Sequence, residues 1–175
     1  MNNDTTITKL LTEAYAAELE TVQNYLSNSV WLDGLRAQEI RESLEEDITQ
    51  ELGHAKKLVH RLKQLGARPP GSLELTRKQR SLQPPKDSTD LLSVVKGVID
   101  AEKDAIRQYE QIIRTCEGKD YVTQDLAINI LAEEEQHRTL FEGFFKTLSN
   151  QQPIGKPARA EVRRMHRETT GGRRF

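Results

Sequence analysis

An all-α fold, a single four-helix bundle with a long connection between its second and third helices, is predicted by three features of this 175-residue chain. Charged residues make up 30% of it and aromatics only 5%, a balance that suits long amphipathic helices better than a sandwich or barrel. Four segments carry apolar seams that advance by alternating steps of three and four residues. The six prolines fall between or beyond those segments, where a helix has to stop anyway.

The first segment is expected to start at Asp4, a suitable N-cap, and to run to about Leu32, before Asp33-Gly34 breaks it. The second runs from near Arg36 to Leu65-Gly66, where glycine suits a left-handed C-cap. Residues 67–88 (ARPPGSLELTRKQRSLQPPKDS) contain two proline pairs and cannot continue a helix. The third segment begins after Asp87 or Ser88 and reaches about Cys116, and the fourth runs from about Asp120 to Leu148. Residues 1–150 thus form one domain, and residues 151–175 form a basic tail or short helix.

Length, charge and cysteine usage narrow the function. A net charge of −1 gives no global attraction to nucleic acid or to an anionic membrane. Cys116 stands alone, so there is neither an intrachain disulfide nor a thiolate metal cluster. No apolar run is long enough to span a bilayer, and the start MNNDTTITKL lacks a signal-peptide core, so a cytoplasmic setting is expected.

Each seam carries one glutamate among apolar positions. The second seam reads Leu44, Ile48, Glu51, Ala55, Leu58, Leu62 and Leu65. The third reads Leu91, Val95, Val98, Glu102, Ala105, Tyr109, Ile112 and Cys116, and the first includes Leu11, Glu18, Tyr25 and Leu32. A buried carboxylate without a partner costs several kcal/mol or takes up a proton. One in every helix asks for a shared cation.

Hairpin geometry brings these glutamates to one level. The midpoint of Glu18 and Glu51 lies between Gly34 and Leu35, and that of Glu102 and Glu134 lies on Gly118. Each pair therefore sits about 16 residues, or ~25 Å, from its turn. The long connection of about 22 residues can span up to ~70 Å, ample to run back along a helix of ~43 Å. Parallel second and third helices follow, with the two hairpin turns at opposite ends.

An internal repeat supports this layout. Residues 18–25, ELETVQNY, echo residues 102–109, EKDAIRQY, while Glu51-Leu-Gly-His54 answers Glu134-Glu-Gln-His137. The first glutamate precedes its Glu-x-x-His by 33 residues in one half and by 32 in the other. Residues i and i+3 share a helix face, so each such turn presents a carboxylate and an imidazole together. Four carboxylates and two histidines suit two divalent metals with mixed oxygen and nitrogen ligands, iron or manganese before calcium or magnesium. They would also neutralise two such ions.

In the run LAEEEQH the assignment of the glutamate is less direct. At 100° per residue Glu135 points roughly 140° from the apolar face, Glu133 roughly 60° and Glu134 roughly 40°. The repeat and the hairpin midpoint select Glu134, with Glu133 as the fallback or as a neighbour of the ligands.

With these residues in place, the chain resembles the ferritin superfamily over roughly residues 6–148, and bacterioferritins above all; a Dps-like variant with the same in-bundle site is the alternative. The resemblance implies a ferritin-like bundle holding two irons. Glu18 and His54 would be terminal ligands to one, Glu102 and His137 to the other, and Glu51 and Glu134 would bridge. Tyr25 matches a tyrosine that serves as hydrogen bonder or electron donor in the family, and Tyr109 is its repeat mate; for both, plain core packing stands level with a redox role. Haem-binding bacterioferritins carry a methionine just after the second helix's glutamate, where this chain has Leu52, so no haem is expected.

The implied activity is a ferroxidase that oxidises Fe(II) with O2 or H2O2, for iron storage or detoxification in a hollow homo-oligomer of 24 or 12 chains. The alternatives are a di-iron or manganese peroxidase or oxidase without storage, and a DNA-protecting protein. For the last, residues 153–175 offer seven Lys or Arg against two Glu as an arm for phosphates. Elsewhere, His60 and His166 read as surface residues, Trp31 as packing or interface, and Cys116 as a seam residue. Glu42, Glu45, Glu46 and Asp47 read as a solvated face, with seeding of mineral on a cage wall as the alternative.

Overall fold

The computed structural model describes residues 5–150. Asp4 and the tail of residues 151–175, with Met165 and His166, lie outside the described residues. Within them the chain forms α1 (Thr5–Trp31), α2 (Ala37–Gln64), α3 (Leu91–Cys116) and α4 (Tyr121–Ser149), with one 3₁₀ turn at Ser72–Glu74. None of these helices is long and apolar enough to cross a membrane.

α1 packs along α2, and α3 along α4, as two hairpins; α1 also faces α3, and α2 faces α4. Between the facing helices Tyr25 meets Glu102 while Tyr109 meets Glu18, and His54 meets Glu133 while His137 meets Gln50. Rising numbers on one helix pair with falling numbers on the other, so the facing pairs are antiparallel too. That leaves α2 parallel to α3, as the long connection requires.

Local chemistry sets the helix ends. Gly66 adopts φ +76°, and Ala67 N–H and Gly66 N–H close the end of α2 onto the carbonyls of Leu62 and Lys63 at 2.9 and 3.0 Å. Asp120 caps α4 by accepting from Thr123 N at 3.0 Å and is itself clamped by Arg61 of α2 at 2.7 and 2.9 Å. α3 starts later than the sequence suggests. Asp87 spends its carboxylate on a local turn, accepting from Thr89 N at 2.9 Å, and Asp90 becomes the cap through Ser93 N at 3.1 Å.

The connection runs up α1 in the same direction as that helix. Glu20 accepts backbone N–H bonds from Lys78 and Gln79, Asn28 donates to Leu82 O, Trp31 Nε1 donates to Pro85 O, and Asp33 N–H donates to Ser88 O. It also presses on α3. A Cβ added at Gly97 would stand 2.5 Å from Ser81 O, so only glycine lets the strap lie this close. Leu82 from the strap is fully buried in the core.

Two apolar clusters fill the bundle, one on each side of its middle. One gathers Leu32, Ile40, Leu44, Leu82, Val95 and Phe141; the other gathers Leu11, Leu58, Leu62, Ile112, Cys116 and Ile130. Each such buried aliphatic side chain contributes about 1.5–3 kcal/mol. Between the two lies a charged layer that only a strong neutralising arrangement can sustain.

Candidate metal centre

The layer is made of the six residues on which the seams and the repeat converge. Glu18, Glu51, His54, Glu102, Glu134 and His137 are all buried, none more than 5% exposed. Their ligating atoms fall into two groups, each within 4.8 Å: Glu18, Glu51, His54 and Glu134 in one, and Glu51, Glu102, Glu134 and His137 in the other. Glu51 and Glu134 belong to both.

His54 Nδ1 faces Glu134 at 3.1 Å, Glu51 at 3.5 Å and Glu18 at 3.7 Å. His137 Nδ1 faces Glu51 at 3.5 Å, Glu134 at 3.7 Å and Glu102 at 4.0 Å. Despite this proximity, His54 Nδ1, His137 Nδ1, Glu51 Oε1 and Glu134 Oε1 have no hydrogen-bond partner. Buried polar atoms are nearly always satisfied, so four orphans turned toward two shared spaces are what a pair of cations would explain. The donor set fits as well, since four carboxylates balance two divalent charges and each space has one imidazole.

Without cations, protons take over the balancing. Burial first, and then the neighbouring carboxylates, push Glu51 and Glu102 well above the ordinary carboxylate range. Burial opposes a charge on His137, but Glu134, Asp47 and Glu102 outweigh it and hold its pKa up at about 9. His54 is raised further still, because Glu134, Glu18 and Glu51 all override its burial. Burial would lift Glu134 too, yet the adjacent imidazoles of His137 and His54 bring it down to about 2.

The tyrosines cross between the halves. Tyr25 on α1 donates to Glu102 Oε1 on α3, and Tyr109 on α3 donates to Glu18 Oε1 on α1. Both are buried, and burial followed by the adjacent carboxylates raises their pKa, so they remain neutral donors. Each hydroxyl fixes one carboxylate oxygen. In Glu18 the other oxygen is the one that faces His54.

The far nitrogens of the imidazoles are also held. His54 Nε2 lies 2.6 Å from Glu133 Oε2, and His137 Nε2 lies 3.2 Å from Gln50 Oε1. The LAEEEQH run divides accordingly: Glu134 is buried in the cluster, Glu133 is half-buried behind His54, and Glu135 is exposed. Leu52 is 47% exposed, and His60 is exposed on the opposite face of α2.

One expectation is corrected. Asp47 belongs to no solvated face: it is 3% exposed, with Oδ1 3.6 Å from His137 Nε2 and Oδ2 lacking a hydrogen-bond partner. It sits one turn before Glu51 and so shares that residue's inward face, a signal drowned by the neighbouring Glu42, Glu45 and Glu46. Gln50 and Glu20 also gain their roles only in the folded chain. Gln50 could have been found as the repeat mate of Glu133, whereas nothing local distinguishes Glu20 from a surface acid.

A cleft of about 590 Å³ opens between α1, α3 and the start of the strap. Ala17, Ala101 and Ala105 line it, and Glu18, Glu51, Glu102 and Glu134 are reached through it. Small side chains between α1 and α3 thus connect the charged layer with the surface.

The model of the ferritin-like domain family matches residues 8–150. A DNA protection during starvation protein from Pyrococcus furiosus is 31% identical over 137 residues, covering 77% of this chain and 74% of that protein. A bacterioferritin from Desulfovibrio desulfuricans is 26% identical over 145 residues, covering 82% and 76%. Among solved structures, the dodecameric thioferritin of Bacteroides fragilis, a bacterioferritin-related protein, superposes with TM-score 0.73 at 23% identity, covering 95% of this chain and 91% of that one. The chain belongs to the ferritin-like domain family.

Proposed function

We propose that this ferritin-like chain is a ferroxidase, binding two Fe(II) as substrate in the mid-bundle layer and oxidising them with O2 or H2O2. The observation that carries the reading is the pair of buried four-residue groups that share Glu51 and Glu134 and hold four orphaned polar atoms. Two Fe(II) surrender two electrons together, which matches reduction of O2 to H2O2 or of H2O2 to water.

The chain's own part is geometric and electrostatic. Glu18 with His54, and Glu102 with His137, serve as end ligands, and Glu51 and Glu134 serve both positions. Tyr109 and Tyr25 hold Glu18 and Glu102 in place by donating to one oxygen of each. With three carboxylates and one imidazole per position, room remains for the oxidant. The protons on the two imidazoles leave as the cations enter.

The thioferritin's twelve-chain assembly and the two named relatives support a hollow homo-oligomer in which oxidised iron is stored or detoxified. A cytoplasmic setting accompanies this reading. The similarity to a DNA protection protein favours a second one, in which iron oxidation serves to protect DNA and residues 153–175 supply the phosphate contacts.

The test is the pair Glu51→Ala and Glu134→Ala combined in one chain, followed by Fe(III) absorbance and oxidant consumption. We expect oxidation to fall about a hundredfold or more, at or beyond the upper end seen when mere supporting partners are removed. Oxidation at the parent rate would place the chemistry elsewhere. Hundreds of irons per particle favour storage, and about two per chain favour a non-storing oxidase or peroxidase. Loss of DNA binding on deleting residues 153–175 favours the protective role.

A further inference from the structure

The two imidazoles are alike on the side that faces the cluster and unlike on the other. Behind His54 stands a carboxylate: Glu133 Oε2 lies 2.6 Å from Nε2, and Lys57 Nζ lies 3.5 Å from the other oxygen of Glu133. Behind His137 stands a neutral amide, Gln50 Oε1, at the longer distance of 3.2 Å. Gln50 and Glu133 occupy equivalent places in the repeat, each one residue before the shared glutamate of its helix.

We propose that the two cation positions are unequal, with the Glu18–His54 position binding a divalent cation more tightly than the Glu102–His137 position, because a carboxylate backs one imidazole and an amide the other. The inference rests on the two-cation reading given above. An ionised acceptor makes a hydrogen bond about twice as strong as a neutral one. It fixes the ring and its tautomer, and it increases the electron donation of the opposite nitrogen toward a metal. An amide orients the ring but adds no charge.

Asp47 is the other charged group near His137 Nε2. At 3.6 Å it lies outside hydrogen-bonding range, so it acts on that ring through its field alone. The shared ligand set is matched, whereas Asp47 has no acidic repeat mate, Ile130 standing at the matching place. Each position has one end glutamate held by a buried tyrosine, and both share Glu51 and Glu134. The hydrogen bond to the far nitrogen is what Glu133 and Gln50 change, and they act as positioning residues.

Anaerobic titration of the full chain in its native assembly with Co(II), followed by calorimetry and visible absorbance, tests this without any turnover. We expect two steps of one Co(II) per chain, about tenfold or more apart. Glu133→Gln, which keeps size and shape, should weaken the tighter step by about 10–100-fold, while Gln50→Glu should tighten the weaker one. His137→Ala should retain the tighter step and His54→Ala the weaker, which assigns each step to its half. Two equal steps in the parent, or an unmoved tight step in Glu133→Gln, would overturn the inequality while leaving the two-cation reading standing. If the parent takes up no more Co(II) than the chain lacking the Glu51 and Glu134 carboxylates, the two-cation reading fails first and the inequality with it.

Discussion

The Glu18–His54 half of the cluster and the Glu102–His137 half follow one repeated pattern, yet their surroundings are not copies. Glu20, two residues after Glu18, is buried and accepts the backbone N–H groups of Lys78 and Gln79. Its repeat mate Asp104 is exposed and pairs with Arg107 on its own helix. Asp47 is a buried acid beside His137, whereas the matching place before Glu134 is the apolar Ile130. The four glutamates, two histidines and two tyrosines of the cluster repeat, while the groups packed around them do not. The bundle has a single strap, so one member of a repeated pair can meet it and the other cannot.

The largest test of that contrast is Glu20→Ala against Asp104→Ala. The first strands two strap N–H groups under partial burial and should cost about 2–4 kcal/mol. The second removes an exposed ion pair and should change stability by no more than about 0.5 kcal/mol. Chemical denaturation of both variants measures the difference, and equal losses would mean that the strap is not held through Glu20.

A smaller effect is expected at Gly97, on α3 a turn and a half before Glu102. Alanine there drives its Cβ into Ser81 O of the strap, so Gly97→Ala should lose about 1–3 kcal/mol. Gly53→Ala on α2 meets nothing within 4 Å and should gain about 0.5–1 kcal/mol from helix propensity. Thermal unfolding of the pair reads the sign of each change.

A third test concerns pH in the metal-free protein. His137 has its pKa raised to about 9 from the ordinary 6.5, so its contribution to stability is complete below about 6.5 and disappears as pH rises through about 9. His54, raised further by three carboxylates, keeps its proton across that window. Stability measured from pH 6.5 to 9 should therefore decline in the parent and stay flatter in His137→Gln. Under the two-cation reading, binding a divalent cation should remove the decline, because the imidazole is then deprotonated throughout. A metal-free parent with constant stability over this range would refute the unequal protonation of the two rings.

Much of this architecture is legible along the chain because it rests on periodicity. Seams of steps three and four locate the four helices to within a few residues, and the proline pairs mark the strap. Equal distances from the turns place Glu18 level with Glu51 and Glu102 level with Glu134. The start of α3 is ambiguous along the chain because Asp87 and Asp90 are both credible caps, and the choice between them depends on how the strap arrives. Asp47 is not legible in the sequence because one inward acid in a run of outward ones leaves no trace in composition.

By itself, the sequence determined the bundle, its parallel second and third helices, and the six residues that converge at its middle. These follow from helix geometry and from the cost of burying a carboxylate, which hold wherever such a pattern occurs. Only the tertiary structure decided which groups support those six. It crossed Tyr25 to Glu102 and Tyr109 to Glu18, set Glu133 behind His54 and Gln50 behind His137, and laid the strap over Glu20 and Gly97. The hydrogen-bonded pairs among these join residues 58 to 91 positions apart, and tertiary packing alone brings them within reach of each other.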